Sequence, residues 1–136
     1  MLLTNSEQDA LGLAPPPAAS GRLLVLAGHP DTAALLCNYA ARSGLSASIP
    51  LDDEPAEVAV SRIRPRVAII DCDHPSASSR RLSRRLAGVR ARIVLCAALH
   101  RNAEARERAL RTGALYFPLP VSHRDFELVV RTAMLL

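Results

Sequence analysis

Asp71 closes the apolar run Arg66-Val67-Ala68-Ile69-Ile70-Asp71, so one carboxylate stands at the end of what reads as a buried strand. In open α/β sheets, the C-terminal ends of the strands are where ligands and chemistry collect. An aspartate there can act as a phosphoryl acceptor, its oxygen attacking phosphorus to form an acyl phosphate. That reaction calls for further acids to hold Mg²⁺ and a cation to answer the new charge. The 136-residue chain has no lysine to supply that cation.

Other groups could do chemistry in principle. His29, Asp71, Asp73 and His74 fall at predicted loop ends, and imidazole with carboxylate suits a transition ion better than Mg²⁺. The plainer reading is solvated loop polar groups, and no metal site is expected. The stretch Ala27-Gly28-His29-Pro30-Asp31 is similar to the opening motif of the PIG-L/LmbE-type zinc deacetylases. Thr32 stands where the second acid of that motif belongs, and no His-x-x-His follows, so this activity is not expected. Gly28 and Gly88 are lone glycines without a phosphate-cradling pattern, and no Ser/His/Asp arrangement stands out. We expect no enzymatic activity and no catalytic residue.

Cys37, Cys72 and Cys96 are odd in number, widely spaced and free of any CxxC pattern. They are expected to be free thiols, two of them within predicted strands, in a reducing, cytoplasmic compartment. All 17 basic residues are arginine, and the formal net charge is +4. Arg80, Arg81, Arg84 and Arg85 stack at i,i+4 on a predicted third helix, opposite Leu82 and Leu86. That row reads as a solvated face, or else as a surface for phosphate backbone or an acidic partner. With little aromatic content for stacking and no binding motif, nucleic acid is the lesser expectation.

The elements that must position these groups follow from the periodicity. Hydrophobic residues make up 49% of the chain and aromatics 3%, which calls for a core of Leu, Val, Ile and Ala. There is no run of eighteen apolar residues to span a membrane, and the N-terminus is a poor signal peptide. Residues 1–20, with three consecutive prolines, read as a flexible tail before a domain over residues 21–136. Strands are predicted at Arg22–Ala27, Leu45–Ile49, Val67–Asp71, Ile93–Ala97 and Leu115–Pro118. The first predicted helix, Asp31–Ser43, turns Leu35, Leu36, Tyr39 and Ala40 to one face and stops at Gly44. The second starts at Asp52-Asp53-Glu54, with Pro55 in its first turn, and ends before Pro65. Ser76–Leu86 and Ala103–Thr112 are the third and fourth helices. Ser122, with Asp125 three residues on, caps a fifth that buries Phe126, Val129, Val130 and Ala133. Five βα units in strict alternation imply one parallel five-stranded sheet between two helical layers: a flavodoxin-like (βα)5 sandwich in the order 2-1-3-4-5.

Over residues 21–136 this series resembles the response-regulator receiver (CheY-like) domain. The resemblance rests on Val25-Leu26-Ala27-Gly28-His29-Pro30-Asp31 at the first strand, Pro65 to Asp71 at the third and Cys96-Ala97 at the fourth. Around the fifth strand it rests on Gly113-Ala114, Tyr116-Phe117 and Leu119-Pro120, a series one residue short of the family's. It implies that Asp71 is the phosphoacceptor equivalent, that Ala27 and Gly28 hold the acidic-pair positions, and that Leu119 holds that of the lysine. Cys96 and Tyr116 fall at the switch positions, Cys96 replacing a hydroxyl with a weak donor.

With these departures, Mg²⁺ binding is expected to be weak or absent and no cofactor is expected. The resemblance thus points to an atypical, pseudo-receiver protein without its own output domain, docking a signalling partner independently of phosphorylation. A histidine kinase or an output protein would be such a partner. The alternative is a receiver phosphorylated at Asp71 by a histidine kinase in a two-component phosphorelay. In the family, the face formed by the fourth helix, fifth strand and fifth helix handles docking and dimerisation. Here it would span Leu115–Val121, and a homodimer would form through it.

Overall fold

The computed structural model describes residues 21–136, and the segment read as a tail lies outside the described residues. Five strands, β1 (Arg22–Leu26), β2 (Ser46–Ser48), β3 (Val67–Asp71), β4 (Arg92–Ala97) and β5 (Leu115–Pro118), form one sheet in the order β2-β1-β3-β4-β5. Every pairing is parallel, as the alternation of elements predicts. Between them run α1 (Pro30–Arg42), α2 (Ala56–Ile63), α3 (Arg80–Gly88), α4 (Asn102–Thr112) and α5 (His123–Leu135).

The side-chain period of two along each strand divides the core into two halves. Leu23, Val25, Val67, Ile69, Val94 and Phe117 point to one face, where α1 and α5 cover them with Leu36, Ala40, Phe126 and Val130. Leu24, Leu26, Ala68, Ile70 and Leu95 point to the other, against Val60 and Ile63 of α2, Leu82 and Leu86 of α3 and Ala109 of α4. Strands covered on both faces read as continuous apolar runs, which is why β3 and β4 were legible from sequence. Three of the four aromatics gather in the first half: Phe126 lies 6.0 Å from Phe117 and 5.7 Å from Tyr39, centroid to centroid.

Polar contacts tie α1 to α5. The Ser43 hydroxyl donates to Glu127 Oε2 at 2.6 Å and lies 2.8 Å from His123 Nε2, while Arg131 donates to the Ser43 carbonyl at 2.7 Å.

Several element boundaries differ from expectation. The third helix begins at Arg80, not Ser76. Ser76, Ser78 and Ser79 all offer a capping hydroxyl, and it is Ser79 that accepts from the Leu82 N–H. Pro55 is the N-cap of α2 and not a first-turn residue. The acids before it therefore lie outside the helix, where Glu54 pairs with Arg62 at 2.7 Å. Leu35 is exposed and Val129 only half-buried. Only Cys96 lies within a strand: Cys72 follows β3, and Cys37 is on α1. All three are free thiols.

Candidate functional site

The parallel register brings the C-terminal ends of β1, β3, β4 and β5 to one rim. Asp71 is the register partner of Cys96, and Cys72 donates to the Cys96 carbonyl at 2.9 Å. Leu119, just past β5, donates through its backbone to Ala97 at 2.9 Å. Five of the six positions singled out from the receiver resemblance, Ala27, Gly28, Asp71, Cys96 and Leu119, thus meet in one region.

Their contacts centre on Asp71. Asp71 is 4% exposed, and each of its oxygens accepts from a backbone amide: Gly28 N–H to Oδ2 at 2.9 Å and Asp73 N–H to Oδ1 at 3.0 Å. Two such charge-assisted bonds stabilise the buried carboxylate from within the chain. Gly28 sits so close to Asp73 that an added Cβ would lie 2.6 Å from Asp73 Cβ and 3.0 Å from its carbonyl carbon. The absent side chain is what lets the first loop press against the third. Ala27 and Leu119 pack onto the α1/α5 half of the core, and Cys96 is fully buried within it. Burial pushes the Cys96 thiol up, with Asp71 and Cys72 adding to the effect, so it stays protonated and unreactive.

Arg101, which the sequence reading missed, lies in a short 3-10 turn after β4. Its Nε contacts Asp73 Oδ1 at 2.8 Å and its Nη1 reaches the Cys72 carbonyl at 3.3 Å, while His100 stands 3.6 Å from the same Asp73 oxygen. The only signal was the dipeptide His100-Arg101 just beyond a strand end. Among the described residues, no group of three His, Cys, Asp or Glu side chains is placed to hold a metal. His29 accepts from the Asp31 N–H as the cap of α1, and His74 accepts from the Ser76 N–H. Burial lowers the His74 pKa, with Asp71 opposing.

Tyr116, the sixth position, is half-buried against the other half of the core. Its hydroxyl donates to Asn102 Oδ1 at the start of α4, and burial raises its pKa. The expected docking stretch Leu115–Val121 is only partly a surface. Phe117 and Val121 are buried, Val121 also accepting from the Tyr39 hydroxyl at 2.9 Å, while Pro118 and Pro120 are exposed.

A serine, a histidine and a carboxylate do meet elsewhere, at Ser43, His123 and Glu127. The carboxylate takes the serine's own hydrogen, and Ser43 is 8% exposed, so this is a structural clasp without a nucleophile. No helix among the described residues is long and apolar enough to cross a membrane.

No family model and no curated protein sequence matches the chain. Solved structures do. A response regulator receiver protein from Burkholderia phymatum is 22% identical with a TM-score of 0.69, over 85% of this chain and 95% of that one. The receiver domain of NtrX from Brucella abortus is 21% identical with a TM-score of 0.65, over 83% and 97%. A response regulator receiver domain protein from Clostridium thermocellum is 16% identical with a TM-score of 0.68, over 84% and 94%. In strand order, helix layering and extent, the chain has the fold of a response-regulator receiver domain.

Proposed function

We propose that this chain is a non-enzymatic, atypical receiver in signal transduction, docking a protein partner without a phosphorylation step. The observation that carries the reading is the state of Asp71: both oxygens are engaged by backbone N–H groups at the rim where a phosphoryl group would have to attach. Mg²⁺ takes oxygen ligands in near-octahedral order. At this rim Ala27 offers a methyl group, Gly28 turns an N–H toward Asp71, and the Asp73 carboxylate is engaged by Arg101. These residues do not fit the ion. Leu119 brings no charge to answer a phosphoryl group, and the buried Cys96 thiol is a weak donor.

The docking surface would be the part of the β5 side that reaches solvent: Pro118, Pro120 and the half-buried Tyr116 and Leu119. Either a signalling partner or a second copy of the chain would occupy it, in the cytoplasm. Intact mass after incubation with acetyl phosphate, with and without Mg²⁺, tests the central claim. No adduct on the wild type is the expected result. A gain of one phosphoryl group that requires both Mg²⁺ and Asp71, absent in Asp71→Ala, would establish a phosphorylated receiver instead.

A further inference from the structure

Eight of the 17 arginines have a backbone carbonyl or a carboxylate as partner. Arg22, Arg66 and Arg92 donate to backbone carbonyls, as does Arg108 to Ala77, and Arg62, Arg101, Arg111 and Arg131 pair with carboxylates. Between α2 and α3 the pattern changes. A groove of about 560 Å³ is lined by Arg64, Arg81, Arg84 and Arg85, with Ser61, Gly88 and Val89. No carboxylate lines it, and among the described residues none of its four guanidiniums is in an ion pair. Among the described residues only Arg85 of the four makes a side-chain hydrogen bond, donating to Ser61 at the groove wall. The helix α3 has no acid in its first turn, and its outward side chains include Arg80 as well.

Four like charges converging on one groove repel one another, and an anion seated among them relieves that repulsion. Arg81 and Arg85 recur at i,i+4, about 6 Å apart along the axis, and so form a row of charge instead of a single point. The fourth guanidinium comes from Arg64, held at φ 50° as the C-cap of α2, a left-handed position that glycine occupies without strain.

The lining also discriminates between kinds of anion. A protein partner draws affinity from large apolar or aromatic anchors seated in pockets, and this groove offers only Val89. Nucleic-acid interfaces are more polar and far more positive than protein ones. With no aromatic in the lining, bases gain nothing by stacking. Charge density then decides, and a duplex carries about one charge per 1.7 Å of axis.

We propose that the α2/α3 groove binds the phosphate backbone of duplex nucleic acid without reading its sequence. This site is separate from Asp71 and from the β5 side, and it stands or falls independently of the docking reading.

The test is fluorescence anisotropy of a labelled mixed-sequence DNA duplex titrated with the full chain at several salt concentrations. Neutralisation of three to four phosphates predicts a slope of log K against log salt of about −3 to −4. The double variant Arg81→Ala/Arg84→Ala should flatten that slope by about 2, and Arg64→Gly by about 1. Arg64→Gly relieves the left-handed strain, so its loss of binding cannot be put down to unfolding; thermal melts of each variant confirm this. Arg124→Ala, an exposed arginine on α5, should bind as the wild type does. The proposal is overturned by no binding at 50 mM salt up to about 100 µM protein, the weak end of non-specific affinity. It is equally overturned if Arg124→Ala weakens binding as much as Arg84→Ala does, since net charge alone would then be responsible. Displacement of the duplex by polyglutamate at lower charge concentration than by unlabelled duplex would overturn it in favour of an acidic protein partner.

Discussion

Two charged regions of this molecule are handled in opposite ways. At the strand ends, the Asp71 carboxylate is buried and its two oxygens are satisfied from within the chain, by the amides of Gly28 and Asp73. Between α2 and α3, arginines line an open groove, and among the described residues they pair with no carboxylate. A buried charge has to be compensated locally, because desolvation makes an unpaired one costly. A solvated charge does not, and it remains available for something outside the molecule. At the strand ends the carboxylate is thus held by the scaffold, while the arginines of the α2/α3 groove face solvent.

The sharpest way to break this comparison is to force a second acid into the first region. Gly28→Asp puts a Cβ against Asp73 and a new carboxylate beside two others, and should cost about 3 kcal/mol in urea unfolding. A fully stable variant would mean that the loop moves freely and that the closed geometry is not a constraint. Asp71→Ala removes the acceptor from two amides and should cost about 2 kcal/mol, read as a lower urea midpoint at unchanged slope. Arg81→Ala with Arg84→Ala, in contrast, should shift stability by no more than about 0.5 kcal/mol, since among the described residues neither side chain is in an ion pair. A large loss there would make those arginines structural and erase the contrast.

The smallest effect sharpens it with pH. Hydrogen bonds from Arg62 and from the Leu51 N–H hold Glu54 down from the ordinary 4.5 to about 2. A depressed carboxylate stabilises the fold at pH above its unfolded value, and that contribution is lost as pH falls toward its folded one. Melting temperatures of the wild type and Glu54→Gln should therefore differ slightly at pH 6 and converge as pH falls from about 4.5 to 2. A constant gap would show that the carboxylate's charge is not what matters.

How much of this was legible in the sequence depends on the range of the interaction. The parallel sheet was legible, because apolar runs such as Val67–Asp71 and the helix stops at Gly44 and Gly113 are local signals. Asp71 was legible as a strand-end carboxylate for the same reason. The two amides that cap it were only half so. The Asp73 N–H lies two residues away, but the Gly28 N–H lies 43 residues away and arrives only once β1 and β3 are paired. Arg101 reaches Asp73 through a 3-10 turn that no periodicity announces. The basic row on α3 could be read by spacing. The groove could not, because Arg64 joins it only through the left-handed turn ending α2 and the packing of that helix beside α3. The start of α3 was misread because adjacent serines are equivalent caps until Leu82 and Leu86 must both face the sheet.

The close approach at Gly28 bears on which sequences can be reached from this one by single changes. Trimming the Asp73 side chain would remove one obstructing atom, but the backbone carbon and oxygen, 3.0 and 3.1 Å from where a Cβ would stand, would remain. No substitution at a neighbouring position clears them. A path that installs an acid at position 28 must also shift the backbone after β3 by a few tenths of an ångström, so intermediates carrying only one of the two changes would be disfavoured. The present state of this rim is therefore guarded by main-chain geometry, and drift or design would more readily elaborate the surface elsewhere than reopen it.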